Sequence, residues 1–254
     1  MRTDSTLTAR RGRRGPWLLH VVALLILGLG LGLGLCLVDG ALIYRSLPDT
    51  VPVHWGLNGP DAWEDKSFGT VFMGPLVALG SVALLALVSA AAPAFSPEEP
   101  GASDWEAFRR RGMIQGTVAA MGAVSLLIAA CVSYLSMRGW RTPEEVELWP
   151  ALVLSGFILA VIVPVYSAAE RRSRREAARN GVHPTDEEAA EDTKWIGGVL
   201  LNDPHDPHVL VPKRSGTGTG LTVNIGHARG RTAVVLFLVV VIGLPIGLGL
   251  LAVP

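Results

Sequence analysis

The sequence predicts an all-α membrane protein: a five-helix transmembrane bundle carrying a small outer hairpin cap and a small cytoplasmic antiparallel β-domain. Three observations carry this prediction. Five apolar runs, near Trp17–Ile43, Val71–Phe95, Met113–Met137, Trp149–Ala168 and Thr232–Val253, each reach the ~20 residues that span ~30 Å of hydrocarbon. Lipid offers no hydrogen-bond partners to open strands, so each run has to be helical. The basic residues are unevenly placed: eighteen lie before the first run, before the third, and between the fourth and fifth, and four lie in the other two loops. Under the positive-inside rule this predicts a multi-pass protein with its N-terminus in the cytoplasm and its C-terminus outside. Finally, two polar segments, Leu47–Lys66 and Asp192–Gly226, mix β-prone residues with turn formers.

In chain order, residues 1–16 read as a basic cytoplasmic N-terminus and 17–168 as a four-helix transmembrane region with the cap at 44–67. Residues 169–191 read as a cytoplasmic basic helix and acidic linker, 192–226 as the small β-domain, and 232–254 as the fifth transmembrane helix. The first run is longer than the 7–15 residues of a signal-peptide core and no small-residue cleavage site follows it, so it reads as a retained helix. Gly28, Gly30, Gly32 and Gly34, and again Gly112, Gly116 and Ala120, are spaced for close helix approach. Gly74-Pro75, Pro164 and Pro245 are expected to kink their helices. Cys36 and Cys131 read as small packing residues. Nineteen arginines against three lysines, with 50% hydrophobic residues, point to a bacterium with GC-rich coding and hence to the cell membrane.

The cap is the densest candidate site. Pro48 and Pro52 keep the chain extended as it leaves the bilayer, Val51, Val53 and Trp55 alternate with Pro52, His54 and Gly56, and Asn58-Gly59 marks a turn. The hairpin gathers His54, Trp55, Asn58, Asp61 and Trp63 as candidate ligand-binding residues, because exposed loops on rigid scaffolds are frequent sites of recognition. A structural alternative is a lid that only holds the first two helices together. No nucleophile and base are paired, no structural-zinc spacing occurs, and acidic and basic residues balance at 22 each. The reading is therefore of no enzyme, no metal site, no cofactor and no nucleic-acid partner. The expected partners are the lipid bilayer, a secreted peptide or other ligand outside, and a cytoplasmic protein inside. The spans hold few ionisable groups, which disfavours the alternative of a small transporter or transporter accessory subunit.

Leu-Pro-Asp, then Val-Pro-Val-His-Trp, then Gly, Asp, Trp and Lys, as they stand at Leu47–Lys66, resemble the loop of an uncharacterised bacterial membrane-domain family. That domain also forms the N-terminal part of SdpI-like immunity proteins, so the resemblance implies a receptor- or immunity-type protein that meets a secreted peptide through its outer loop. The order Asp-x-x-Trp, Gly, Asn-Asp-Pro-x-Asp-Pro, Val-Pro-Lys-Arg, Gly and Thr-Val-Asn-Ile within Asp192–Gly226 resembles a second uncharacterised bacterial domain. Within it Gly198–Leu201, Val209–Arg214 and Leu221–Ile225 are expected to form a three-stranded meander.

Overall fold

Apolar helices, two short β-units and the side chains that join them make up the protein, in a computed structural model describing residues 29, 32–56, 59–98, 100–145, 149–214 and 220–243. Helix α1 is described over 32–43 and followed by a 3-10 turn, Tyr44–Ser46. Strands β1 (Thr50–Gly56) and β2 (Gly59–Asp65) form a hairpin. Then come α2 (Phe68–Ala91), α3 (Asp104–Arg141), a 3-10 turn at Pro143–Glu145, and α4 (Trp149–Arg179). The β-unit holds α5 (Asp186–Thr193), β3 (Trp195–Ile196), β4 (Leu200–Leu201), β5 (Leu210–Pro212) and β6 (Leu221–Val223). Last is α6 (Ala228–Leu238), which passes into a π-turn at Val239–Gly243.

The five-helix transmembrane bundle is not what the structure shows. Among the described residues, α2 and α3 are the helices long and apolar enough to cross a membrane. Only 22% and 28% of their apolar stretches are buried, unlike the core helix of a soluble protein. Neither lies at the N-terminus, so neither is a signal sequence. The twelve described residues of α1 and the eleven of α6 rise ~18 and ~16 Å at 1.5 Å per residue, short of ~30 Å of hydrocarbon. The rest of the first and fifth apolar runs lies outside the described residues. The fourth run is helical but continues unbroken into Arg171–Arg179, so apolar and basic segments are one helix.

Close helix packing follows the small residues. A Cβ on Gly112 would stand 2.6 Å from the Ser173 Cβ, and one on Gly116 2.9 Å from the Tyr166 ring. These positions bring α3 against α4, where Thr117 and Tyr166 share a 2.8 Å hydroxyl contact. Leu33, Ala78 and Ala129 pack α1, α2 and α3 together. Cys36 is fully buried there, and both cysteines are free. Helix α4 stops at Gly181, whose φ of 73° permits a Schellman closure. Val182 N–H donates to Ala177 O at 3.0 Å and Gly181 N–H to Ala178 O at 3.0 Å.

The β-unit departs from a three-stranded meander: β3 pairs with β4 and β5 with β6, both antiparallel, and one parallel bridge joins Leu201 to Asn224. Turn chemistry explains the extra strand. Gly197 and Gly198 both have positive φ and Val199 N–H donates to Ile196 O at 3.1 Å. This makes a primed hairpin turn that returns the chain onto Trp195. Trp195, Leu201 and Val211 form the small core.

One side chain organises the connecting loop. Asn224 is fully buried; its amide nitrogen donates to the carbonyls of Asp203 (2.8 Å), Asp206 and His208 (3.3 Å each). Its oxygen accepts from the N–H groups of Asp203 (3.1 Å) and Gly226 (3.0 Å). The backbone around it leaves no room: a Cβ on Gly226 would meet Asp203 at 2.5 Å, and one on Gly230 the Asn224 carbonyl at 1.9 Å. Two Asx-turns complete the loop, with Asp203 accepting from His205 N–H at 2.9 Å and Asp206 from His208 N–H at 2.8 Å.

The β-unit is held to the helices by a buried ionic junction. Asp192, 6% exposed, accepts from the Trp105 indole at 3.3 Å, pairs with Arg174 at 3.3 Å, and pairs with Arg214. Trp105 is buried against this carboxylate.

Asn224→Ala should leave several buried backbone groups unsatisfied. Amide protection across 200–225 is expected to fall about a hundredfold, equivalent to about 3 kcal/mol, with α2 and α3 unchanged; unaltered protection would contradict the role given to Asn224. Hydrogen bonds also set the loop's response to pH. The Asp203 carboxylate is held below the usual range by the His205 N–H and then by Lys194, and Asp206 by the N–H and imidazole of His208. Because these folded values lie below the unfolded ones, their stabilisation is fully present above the ordinary carboxylate pKa and is lost as pH falls through the lowered values. The amide resonances of His205 and His208, which report the two acceptors, should titrate with midpoints below the ordinary Asp value of about 3.9; midpoints at or above it would contradict this assignment.

Candidate functional site

The β1–β2 hairpin is built on a clamp at its stem. Lys66 donates its backbone N–H to Asp49 O at 2.7 Å and its ammonium to Leu47 O at 2.6 Å, closing the loop where the chain leaves and re-enters the helices. Ser67 and Thr70 form a reciprocal capping box that starts α2 directly after β2. Beneath the stem, Leu47, Val51, Val71 and Phe72 make a buried cluster. Phe72 lies against Phe68 with ring centroids 4.7 Å apart and meets Trp140 edge-on at 5.8 Å. Gly40 is the gap through which α1 passes, since a Cβ there would lie 2.6 Å from Trp140 and 2.7 Å from Phe72. Asp39 and Arg141 form an ion pair beside it.

The strands are irregular in a way that sorts their side chains. Pairing shifts between Pro52 and His54 and again between His54 and Trp55, leaving Val53 extra on β1 and Asp61 extra on β2. Such bulges re-aim side chains. Asp61 reaches His54, with Oδ1 2.5 Å from Nδ1, and both side chains are more than half exposed. Gly56 makes room for that carboxylate, because a Cβ there would stand 2.6 Å from Asp61 Oδ2.

Trp55 turns the other way. Its indole N–H donates to Pro143 O at 3.0 Å, and its ring lies where a Cβ on Gly139 would stand 2.9 Å away. The hairpin is thereby fixed to the end of α3, and between it and the helices is a cavity of about 470 Å³. Val51, Pro52, Val53, Trp55 and Trp63 roof it; Met73, Gly74, Val132, Leu135 and Trp140 form its floor and walls. The lining is mainly hydrocarbon and indole, within the usual ~300–1,000 Å³ of ligand pockets. The kink-prone Gly74-Pro75 pair lies at this level, and a Cβ on Gly74 would stand 3.0 Å from Ser136 Oγ.

Of the five residues expected to form the site, Trp55 and Trp63 line the cavity. His54 and Asp61 pair with each other outside it, and Asn58 lies outside the described residues. Sequence reasoning missed the far wall: Trp140, Leu135 and Arg141 come from α3, about eighty residues downstream. Trp140, at the C-terminal end of α3, was the available signal. Among the described residues, no three His, Cys, Asp or Glu side chains are grouped to hold a metal ion.

Residues 31–79 match a family described as a domain of unknown function, DUF1648. The matching stretch takes in α1, the whole hairpin and the first half of α2, which are the elements that roof and partly line the cavity. No curated protein matches the chain, and no solved structure does.

The Trp55–Gly139 fit is directly testable. Gly139→Ala should displace the indole and break its bond to Pro143. Overpacking of this kind costs about 1–3 kcal/mol, so amide exchange in Thr50–Asp65 is expected to quicken at least tenfold with α3 unaffected; unchanged exchange would show that the hairpin is anchored elsewhere.

Proposed function

We propose that this is an integral membrane protein of receptor or immunity type, which recognises an extracytoplasmic ligand through its outer cap. The apolar cavity under the hairpin carries this reading: a two-stranded hairpin is marginal alone, yet here it is fastened at its stem, at Trp55 and over a hollow. In this reading the protein is multi-pass, with the hairpin outside and the β-unit in the cytoplasm, supported by the basic residues on α4 and in the first turns of α3. The resemblance of Leu47–Lys66 to the loop found in SdpI-like proteins supports recognition, through this loop, of a peptide or other ligand on the outer side. The junction at Asp192 gives the β-unit a fixed position from which to meet a cytoplasmic partner.

The test uses a deletion strain complemented by the chain. The exposed pair His54–Asp61 contributes at most about 1 kcal/mol, so His54→Ala and Asp61→Ala should accumulate normally. Trp63, 46% exposed, should tolerate Ala as well. Complementation is expected to fall at least tenfold for Trp63→Ala, and measurably for the other two, at unchanged abundance. In a cysteine-free background, Glu64→Cys should react with an impermeant maleimide on intact cells. Full activity of all three alanine variants, or a Glu64→Cys labelled only after lysis, would sink the proposal.

A further inference from the structure

Most polar side chains around the cavity are already in use. Thr70 donates to the carbonyls of Asp65 (3.0 Å) and Ser67 (3.1 Å) within its capping box. The Trp55 and Trp140 indoles donate to Pro143 O and Val71 O, and Arg141 is committed to Asp39 and to Met137 O. A peptide segment entering this space would bring N–H and C=O groups and find few partners for them. A hydrocarbon chain asks for none.

The position of the cavity points the same way. Met73 lines it and is 45% exposed on α2, continuous with exposed Leu76 and Val77 one turn further along the same helix. Its mouth therefore borders the apolar surface that a spanning helix presents to lipid, while the hairpin covers it from the other side. We infer that the cavity takes a single acyl chain of a membrane lipid, drawn in laterally past Met73 and capped by Trp55 and Trp63. This rests on the proposed function above and gives the ligand's chemical class: an acylated amphiphile whose chain lies under the hairpin and whose polar end meets the His54–Asp61 face.

The test uses the full chain reconstituted in phosphatidylcholine vesicles doped with phosphatidylcholine bearing a diazirine on its acyl chain. After illumination, mass spectrometry should find adducts on Val132, Leu135 and Trp63 at several times the yield on Leu84 and Leu87, which face outward on α2. Leu135→Trp, which fills the cavity, should cut the adducts on Val132 and Trp63 at least fivefold and leave those on Leu84 and Leu87 unchanged. Met73→Trp, at an exposed position that a larger side chain does not disturb, should narrow the mouth and do the same. Equal yields inside and outside, or cavity adducts insensitive to both variants, would overturn the inference. So would preferential labelling of the same residues by a soluble apolar peptide carrying the same diazirine. Such failures leave the complementation results of Trp63→Ala untouched, so the occupant's chemistry and the cap's role are judged separately.

Discussion

The carboxylate of Asp192 is the contact on which the arrangement of the polar half of the protein depends. It sits at the end of α5, almost without exposure, and takes bonds from α3 through Trp105, from α4 through Arg174 and from the β-unit through Arg214. A charge so buried is tolerated only with good partners; removing one leaves the others uncompensated at a penalty of about 3–5 kcal/mol. The same demand makes the junction specific. Only one placement of a β-unit with three residues in its core satisfies all three donors at once, and that placement is enforced by polarity rather than by apolar area.

Helix α3 carries this constraint to the other end of the molecule. Its 38 residues make a rod of ~57 Å, with Trp105 at the Asp192 junction and Trp140 against the hairpin cluster. Between them Gly112 and Gly116 admit α4, and Gly139 admits the Trp55 ring. Each glycine is used for the absence of a side chain at a close approach, so the rod is held at fixed distances along its length. The hairpin and the β-unit are thus both docked on the same helix, through tryptophans at its two ends.

Features set by local chemistry were legible in the sequence. The Asn58-Gly59 signal and the alternation before it located the hairpin. Where long-range contacts decide, the sequence was less informative. Periodicity and composition counted five apolar runs as spans, whereas among the described residues α2 and α3 are the helices long and apolar enough to cross a membrane; hydropathy alone does not reveal how each run is built into the packed structure. The Gly197-Gly198 turn was passed over because β3 is only two residues long, too short to show alternation. In the site, His54, Asp61, Trp55 and Trp63 were visible as a cluster in one loop. Their sorting onto different sides was not, since it comes from bulges at Val53 and Asp61 that appear only once the strands are paired.

Those bulges give the hairpin two chemically distinct sides. In a regular strand pair successive residues simply alternate, and His54 would be flanked by two residues of one face. With one extra residue on each strand, the carboxylate of Asp61 is thrown onto His54 and into the space left by Gly56. Val51, Pro52 and Val53 are all free to contact the cavity. The outer side gains a paired acid and base in water, where their mutual attraction is weak and easily exchanged for another partner. Facing the helices is a hydrocarbon roof whose one indole N–H on β1 is already bonded to Pro143. An amphiphile presents this same division, polar at one end and apolar at the other, and a hairpin fixed over the ends of two long apolar helices has a matching side for each part.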